Sequence, residues 1–580
     1  MDAYATPRAL DVPLVVGVTS HRNLVAEEVD ALRDRVRALF AQLRREFPEL
    51  PLVVLSSLAE GGDQLVAREA LACGARLVAP LPLPPDLYAR DFSDDGVRAE
   101  FADLCRQAQV LPLPVMADST ADAITAPGPA RDRQYAQAGV FVASHSHVLL
   151  ALWDGRHSAL LGGTAQVVRY ALEGVMPGLV EARAGGFAGL GVIDESLVHH
   201  IACSRREVDG GALPPAPPLL PGQARWLSQK HAGEPGGAMP EGFRRMFARM
   251  RQFERDRHDR GAAIRANALA SAADARAGDE VLDGLLGVAD TLAMHYQRRV
   301  LGTMRGIHVL AALTGVAFLV YSELEAGSAA QYWAIYGFFA LFAAGGALAW
   351  VARRRDWHRK YVDYRALAEG LRVQRWWRRA GVAAAGPSAF AHDNFMQKHD
   401  VELGWIRNVM RAASIDGGDD PPVPDAALDA VVADWIGAPG QGGQLDYYAR
   451  KAGERGRMHR NAQATVRACL WAGIAIAVCL ALFQGGVGAG NARWLVAAMG
   501  VLAIIAAARE SYAFRKGDKE LHKQYRHMLG LFADARSKLD ATPDGHARRE
   551  VLRALGEAAL AEHAEWALLH RDRPLENTRF

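Results

Sequence analysis

Cysteine is scarce: the 580 residues include five, Cys73, Cys105, Cys203, Cys469 and Cys479, scattered and never at C-x-x-C spacing. That pattern excludes a disulfide framework, a zinc ribbon and a dithiol redox motif. Excess charge is also lacking. With 67 Lys and Arg against 65 Asp and Glu, the net charge is +2, and nothing in the bulk electrostatics supports nucleic-acid binding. His145-x-His147 and His199-His200 have no carboxylate or Cys at ligand spacing, so no metal site is expected. The opening MDAYATPRALDVPLVVG carries Asp2 and Asp11 where a secretory signal would be basic. It reads as the start of a cytoplasmic domain rather than a signal peptide.

What the chain does have is four long apolar runs in two close pairs, at 306–323, 331–352, 469–486 and 492–508. Each is long enough, or nearly so, for a helix to cross about 30 Å of hydrocarbon. The short connections make each pair a hairpin. The first turn holds Glu323 and Glu325 and no Lys or Arg, and the second holds only Arg493. Basic residues gather at the other ends: Arg298, Arg299 and Arg305, then Arg353 to Arg355 and the run to Arg379, then Arg509, Arg515, Lys516 and Lys519. The positive-inside rule predicts a multi-pass protein of the inner (cytoplasmic) membrane with both termini in the cytoplasm. Tyr332, Trp333, Trp350, Trp357, Trp471 and Trp494 lie near crossing ends, as an aromatic belt would. Within the crossings His308 and Gln484 sit at the edges and no charged residue lies near a centre, which argues against a coupled transporter. Small residues in the second and fourth crossings permit close packing within one chain or between copies, and a homo-oligomer is expected.

Before the crossings, apolar runs alternate with helical patterns. Pro13–Val18, Leu52–Ser57, Arg76–Pro80, a segment within Val140–Leu152 and Val198–Cys203 read as strands; Val25–Phe47, Gln64–Cys73 and Gly163–Glu173 read as helices. This alternation predicts an α/β, Rossmann-like parallel-sheet domain, followed by an all-α membrane region of four transmembrane helices. Ligands in such sheets bind at the carboxyl ends of strands, beside helix N-termini. Four segments fall there: Gly17-Val18-Thr19-Ser20-His21-Arg22, Ser56 to Asp63 with Ser57, Glu60, Gly61 and Gly62, Trp153-Asp154-Gly155, and Gly162-Gly163-Thr164. Glycines let a phosphate approach backbone N–H groups, Thr19, Ser57, Thr164 and Arg22 add donors, and Asp63 or Asp154 could accept from ribose hydroxyls. Paired glycines before a helix also serve as a tight turn.

GVTSHR, SSLAEGGDQLVAREAL, LLALWDG and GGTAQVVRYAL together resemble the SLOG superfamily over residues 10–208. The resemblance implies a Rossmann-like domain whose glycine-rich loops cradle a nucleotide or nucleotide-derived signal, NAD-derived or cyclic, at Gly17, Thr19, Arg22, Gly61, Gly62, Gly163 and Thr164. The LOG enzymes of that superfamily carry a glutamate three residues after the threonine; here Val167 stands in its place. Binding without LOG-type cleavage is therefore expected, and no catalytic residue is assigned.

Gly210–Pro221 and Glu234–Glu241 are rich in Pro and Gly and mark a linker over 209–240. The charged helical pattern after 241 reads as a stalk or a solvated helix face. After the second crossing, Trp357, Tyr361, Tyr364-Arg365, Glu369 and Leu371-Arg372 resemble the SLATT family of two-crossing membrane effectors, over about 290–450. Tyr525-Arg526 and Leu529–Leu539 echo that helix, so the second hairpin (451–580) is either a diverged repeat or an independent one. Arg549–Arg573 reads as an amphipathic closing helix. Taken together these features predict a ligand-gated membrane effector of bacterial defence or stress response. The alternatives are a membrane-anchored nucleotide-processing enzyme, with Glu60, Asp63 or His21 as base, and a scaffold without ligand.

Overall fold

The computed structural model describes residues 11–116, 118–181, 196–206, 211–261, 280–382, 401–415, 423–483 and 488–571. The first ten residues, Gly210, Pro421-Pro422, positions 484–486 of the third crossing and Arg573 lie outside these. The described chain divides into two units, one of Met1–Thr291 with Ala366–Val423 and one of Leu292–Arg365 with Pro424–Phe580.

The first unit is built on a seven-stranded sheet. Its strands are β1 (Leu14–Ser20), β2 (Leu52–Leu55), β3 (Arg76–Leu81), β4 (Gln109–Pro112), β5 (Val148–Trp153), β6 (Val198–Ala202) and β9 (Ala224–Leu227), in the order β4-β3-β2-β1-β5-β6-β9. A two-stranded ribbon, β7 (Arg205–Arg206) and β8 (Ala212–Leu213), stands apart from it. All pairings in the large sheet are parallel except β6 with β9. The helices are α1 (Val29–Glu46), α2 (Gly62–Ala72), the single turn α3 (Pro85–Tyr88), α4 (Asp95–Gln107), α5 (Pro129–His145) and α6 (Thr164–Glu173). Strands β1 and β5 are continuous runs of apolar, largely β-branched or Leu residues because helices cover both faces. β1 lies between β2 and β5, so the chain reverses its direction of travel across the sheet there.

The sheet continues beyond residue 208. The Pro/Gly-rich stretch supplies β9, the antiparallel edge strand that pairs with β6. The segment read as a stalk, α7 (Glu241–Asp259), buries Phe243, Met246, Phe247, Met250 and Phe253 within this unit. These residues recur at helical spacing and form one apolar stripe, with Phe247 edge-on to Phe47 at 5.5 Å. The charged side chains of α7 are paired: Arg251 Nη1 donates to the Glu46 carbonyl at 2.9 Å, and Arg257 reaches Asp11 and Glu254. Burial therefore wins over the charge content that made this helix look solvated.

Among the described residues, four helices are long and apolar enough to cross a membrane. They are α8 (Glu280–Glu323), α9 (Ala329–Arg354), α13 (Gly443–Leu482) and α14 (Ala489–Lys516); between the two pairs lie α10 (Trp357–Arg379), α11 (Gly404–Ser414) and α12 (Ala426–Val431), and after them α15 (Asp518–Ala541) and α16 (Gly545–Arg571). In the apolar windows of α9, α13 and α14 no residue is buried by protein, so these helices present their apolar surface outward. The two hairpins share a plan. Each returning helix is followed within two residues by one with positive φ, Asp356 (51°) or Gly517 (66°), and the next helix starts directly after it. Tyr364-Arg365 and Tyr525-Arg526 stand at the same distance past those two breaks.

Not every Arg counted toward the charge bias is free to face lipid headgroups. Within the first unit Asp283 is fully buried between Arg375 (2.9 Å) and Arg379 (3.1 Å), and Arg372 pairs with Asp290 and Glu369.

Candidate functional site

The turn after β1 is the centre of the candidate site, because three of the other predicted segments bond to it. The Thr164 hydroxyl, at the start of α6, donates to the Ser20 carbonyl at 2.7 Å. The Gly62 N–H, at the start of α2, donates to the His21 carbonyl at 3.2 Å. From the end of β5, His21 Nε2 lies 3.1 Å from the Asp154 amide N and 3.2 Å from Asp154 Oδ1. Ser20, His21, Arg22, Gly61, Gly62, Asp63, Asp154, Gly163 and Thr164 are thereby gathered at the carboxyl ends of β1 and β5. Helices α2 and α6 both begin here, and neither has a side-chain cap. The dipoles at these two helix starts favour an anion.

The glycines have specific reasons. Gly61 has φ 86°, and a Cβ there would collide with the Arg22 carbonyl. A Cβ on Gly62 would lie 2.6 Å from Ser20 Cβ, and one on Gly162 2.9 Å from the Ala136 N. Close approach of segments thus accounts for these three positions and brings backbone N–H groups to the site. Gly17 is different: it is buried inside β1, where a Cβ would meet Ser146 and Val142 of the α5 end. Its place is in helix-on-sheet packing. Thr19 is buried in the same strand, Ser57 is half-buried, and Glu60 turns to Ser93, accepting from its N–H at 3.1 Å and from its hydroxyl.

Two carboxylates in the cluster differ. Asp63 accepts from the Ser20 hydroxyl at 2.5 Å and the Ser56 hydroxyl at 3.4 Å. Burial pushes its carboxyl up to about 6, against those bonds and the nearby Arg22 charge. Burial also works to raise Asp154, but contact with His21 and the Arg156 N–H outweighs it and holds that carboxyl below its ordinary value. Asp154 is further held by Arg205 at 3.8 Å. It is a bracing group rather than a free acceptor.

Four residues outside the predicted segments complete the site. The Arg22 guanidinium sits over the Tyr135 ring, 5.6 Å from its centroid, and makes no ion pair among the described residues. Tyr135 bonds to Asp91, which also takes Arg131 at 2.7 Å. Burial raises both the Tyr135 phenol, to about 12, and the Tyr88 phenol, which feels Arg22 and Asp63. These residues come from α3, the turn after it and the start of α5; no motif or spacing in the sequence links them to β1.

Val167 is buried, its side chain filling the space that Gly139 of α5 leaves open, since a Cβ at Gly139 would lie 2.6 Å from Val167 Cγ2. The histidine pairs are interior. His147 bonds the Val15 N–H (3.1 Å) and lies 2.9 Å from the Asn408 carbonyl, and His200 lies 2.9 Å from the Trp153 carbonyl. Burial lowers His147 and His199 to about 3 and His200 to about 4. Among the described residues no group of three or more His, Cys, Asp or Glu could hold a metal ion.

No family model matches the chain, and no curated protein or solved structure matches it either.

Proposed function

We propose that this chain is a ligand-controlled membrane effector. In this reading its SLOG-like N-terminal unit binds a nucleotide-derived anion, NAD-derived or cyclic, and the bound state changes the packing of the two SLATT-like hairpins. The setting would be the inner membrane of a bacterium, with both termini cytoplasmic, the chain homo-oligomeric and the output a defence or stress response. The observation that carries the reading is Arg22, a guanidinium that makes no ion pair among the described residues, held over Tyr135 beside two helix N-termini that no described side chain caps, where the sheet reverses direction. A phosphate there would meet a charge and two dipoles at once.

The test uses the full chain in lipid nanodiscs, titrated with a panel of NAD-derived and cyclic nucleotides. Melting temperature is the readout, with chromatography for ligand consumption. A shift abolished by Arg22→Gln and by Gly62→Glu, without consumption, is the expected result. No shift with any compound would sink the receptor reading and favour the scaffold. Asp63 favours a second reading: a carboxyl near 6 beside a ligand site can act as a general base. Consumption that Asp63→Asn abolishes would put a nucleotide-processing enzyme first.

A further inference from the structure

The seam between the hairpins ends in a cluster of basic and hydroxyl side chains that the nucleotide reading does not use. Helices α8 and α14 meet through reciprocal small-to-large contacts: a Cβ on Gly315 would lie 3.1 Å from Ile504, and one on Gly500 3.0 Å from Leu319. At the end of the seam away from the turns, Arg305 Nε donates to the Tyr512 hydroxyl at 3.3 Å. His308 Nε2 lies 3.3 Å from the Ser511 hydroxyl, and its ring is edge-on to Tyr512.

The charge at this end is one-sided. Arg298, Arg299 and Arg305 on α8 face no acidic residue of their own helix between His295 and Ser322. On α14 the stretch that includes Arg509, Arg515 and Lys516 contains one acid, Glu510. Arg305 and Arg509 make no ion pair among the described residues, whereas Lys516 is taken by Asp518 at 3.4 Å. Depth fixes what this charge can meet. Arg305 directly precedes the first crossing and Arg509 directly follows the fourth, so both stand where lipid phosphates lie. From Arg305 toward the turn, Val309, Leu313 and Val320 continue the same helix face and are exposed. One turn the other way, no described residue lies within 4 Å of where a Cβ on Gly302 would be.

We infer that an anionic glycerophospholipid is held here, its phosphate between Arg305 and the Tyr512 and Ser511 hydroxyls and one acyl chain along Val309, Leu313 and Val320. A zwitterionic lipid carries a choline or amine that meets the same arginines and is repelled. An anionic headgroup bridging α8 and α14 binds both hairpins and so favours the closed seam. The inference rests on the four helices crossing a bilayer and is independent of any nucleotide.

The full chain is reconstituted in nanodiscs of phosphatidylcholine with one part in about five phosphatidylglycerol; one Lys or Arg near an anionic surface is worth about 1 kcal/mol, about fivefold in binding. Lipid retained on the protein after mild extraction is measured by native mass spectrometry. Phosphatidylglycerol should be enriched on the wild type, and Arg305→Gln should lower that enrichment about fivefold. Tyr512→Phe, which keeps the ring and the fold, should lower it in the same direction, while Arg450→Gln, on an exposed stretch of α13, should leave it unchanged. Wild-type protein without enrichment, or enrichment in Arg305→Gln and Tyr512→Phe as high as in the wild type, overturns the site. In pure phosphatidylcholine discs, inorganic phosphate should leave the melting temperature unmoved. A rise equal to that given by phosphatidylglycerol would assign the cluster to a free anion instead of a lipid. None of these outcomes bears on the nucleotide titration, which reads Arg22.

Discussion

Strand β5 and helix α9 are alike in composition and opposite in fate. VLLALW in β5 is buried along its whole length by protein, while the apolar window of α9 has no residue buried at all. Both runs leave water for the same reason, and what differs is the apolar medium each finds. Six residues cannot span a bilayer and must find a sheet; a 26-residue helix is about 39 Å long and can span one. Length, more than hydropathy, separates the two regions.

The largest expected effect tests that contrast directly. Leu150→Ala, at a fully buried position of β5, should destabilise the first unit by about 2–5 kcal/mol, the range for emptying a packed core site. Phe342→Ala, on the outward face of α9, should cost less than about 0.5 kcal/mol, because its side chain meets lipid whether or not the helices are assembled. Thermal unfolding of the full chain in nanodiscs measures both. A cost at Phe342 comparable to that at Leu150 would mean protein covers that face, as in an oligomer.

The next effect belongs to Asp63. Its carboxyl is raised from 3.8 to about 6 by burial. Between those values the unfolded chain has ionised while the folded protein keeps its proton, so the folded state binds more protons and stability falls as pH rises. At about 1.4 kcal/mol per unit the loss is about 3 kcal/mol, complete above pH 6 and absent below 3.8. Asp63→Asn removes the titration. The stability of the variant relative to wild type should therefore rise from pH 4 to 6 and then level off. A difference flat with pH would show that the carboxyl is not desolvated.

A smaller effect separates the two kinds of glycine. Gly61→Ala faces both a positive φ and the Arg22 carbonyl, and should cost about 2 kcal/mol and weaken anion binding. Gly174→Ala has φ 71° and open space, so it should cost about 1 kcal/mol and leave binding intact. Equal costs would show that the collision at Gly61 is relieved by movement of the loop, and the close approach to Arg22 would not be a requirement of the site.

The first unit was legible where periodicity was clean. β1, β2, β3, β5 and β6 and helices α1, α2 and α6 stand within a few residues of their expected positions, since strand-length apolar runs alternate there with amphipathic segments. Helix α5 was missed because it is buried on several sides and carries Arg131, Gln134, Gln137 and Ser144 in its interior, which erases the apolar stripe. β4 is short and half-exposed, and β9 lies in a stretch whose Pro and Gly content reads as linker. The convergence of segments on Ser20 to Arg22 followed from the rule for strand ends. The surroundings of Arg22 did not, because Tyr135, which lies under it, and Asp91 and Arg131, which hold Tyr135, are distant from it in sequence and come together only in the fold.

The smallest effect is at the turn end of the hairpin seam, where Arg493 Nε lies 3.3 Å from Glu323 Oε2. The side chains are 64% and 33% exposed, so solvent screens the pair and it should contribute about 0.5 kcal/mol and weaken with salt. Glu323→Gln, Arg493→Gln and the double variant form a cycle whose coupling energy isolates the pair from the loss of each charge. A coupling above about 2 kcal/mol would mean that both groups sit in a low-dielectric layer. The lipid boundary would then lie beyond Glu323, and the crossings would be longer than the sequence makes them. A coupling near the expected value keeps Glu323 and Arg493 in water and fixes that edge of the bilayer at the turn.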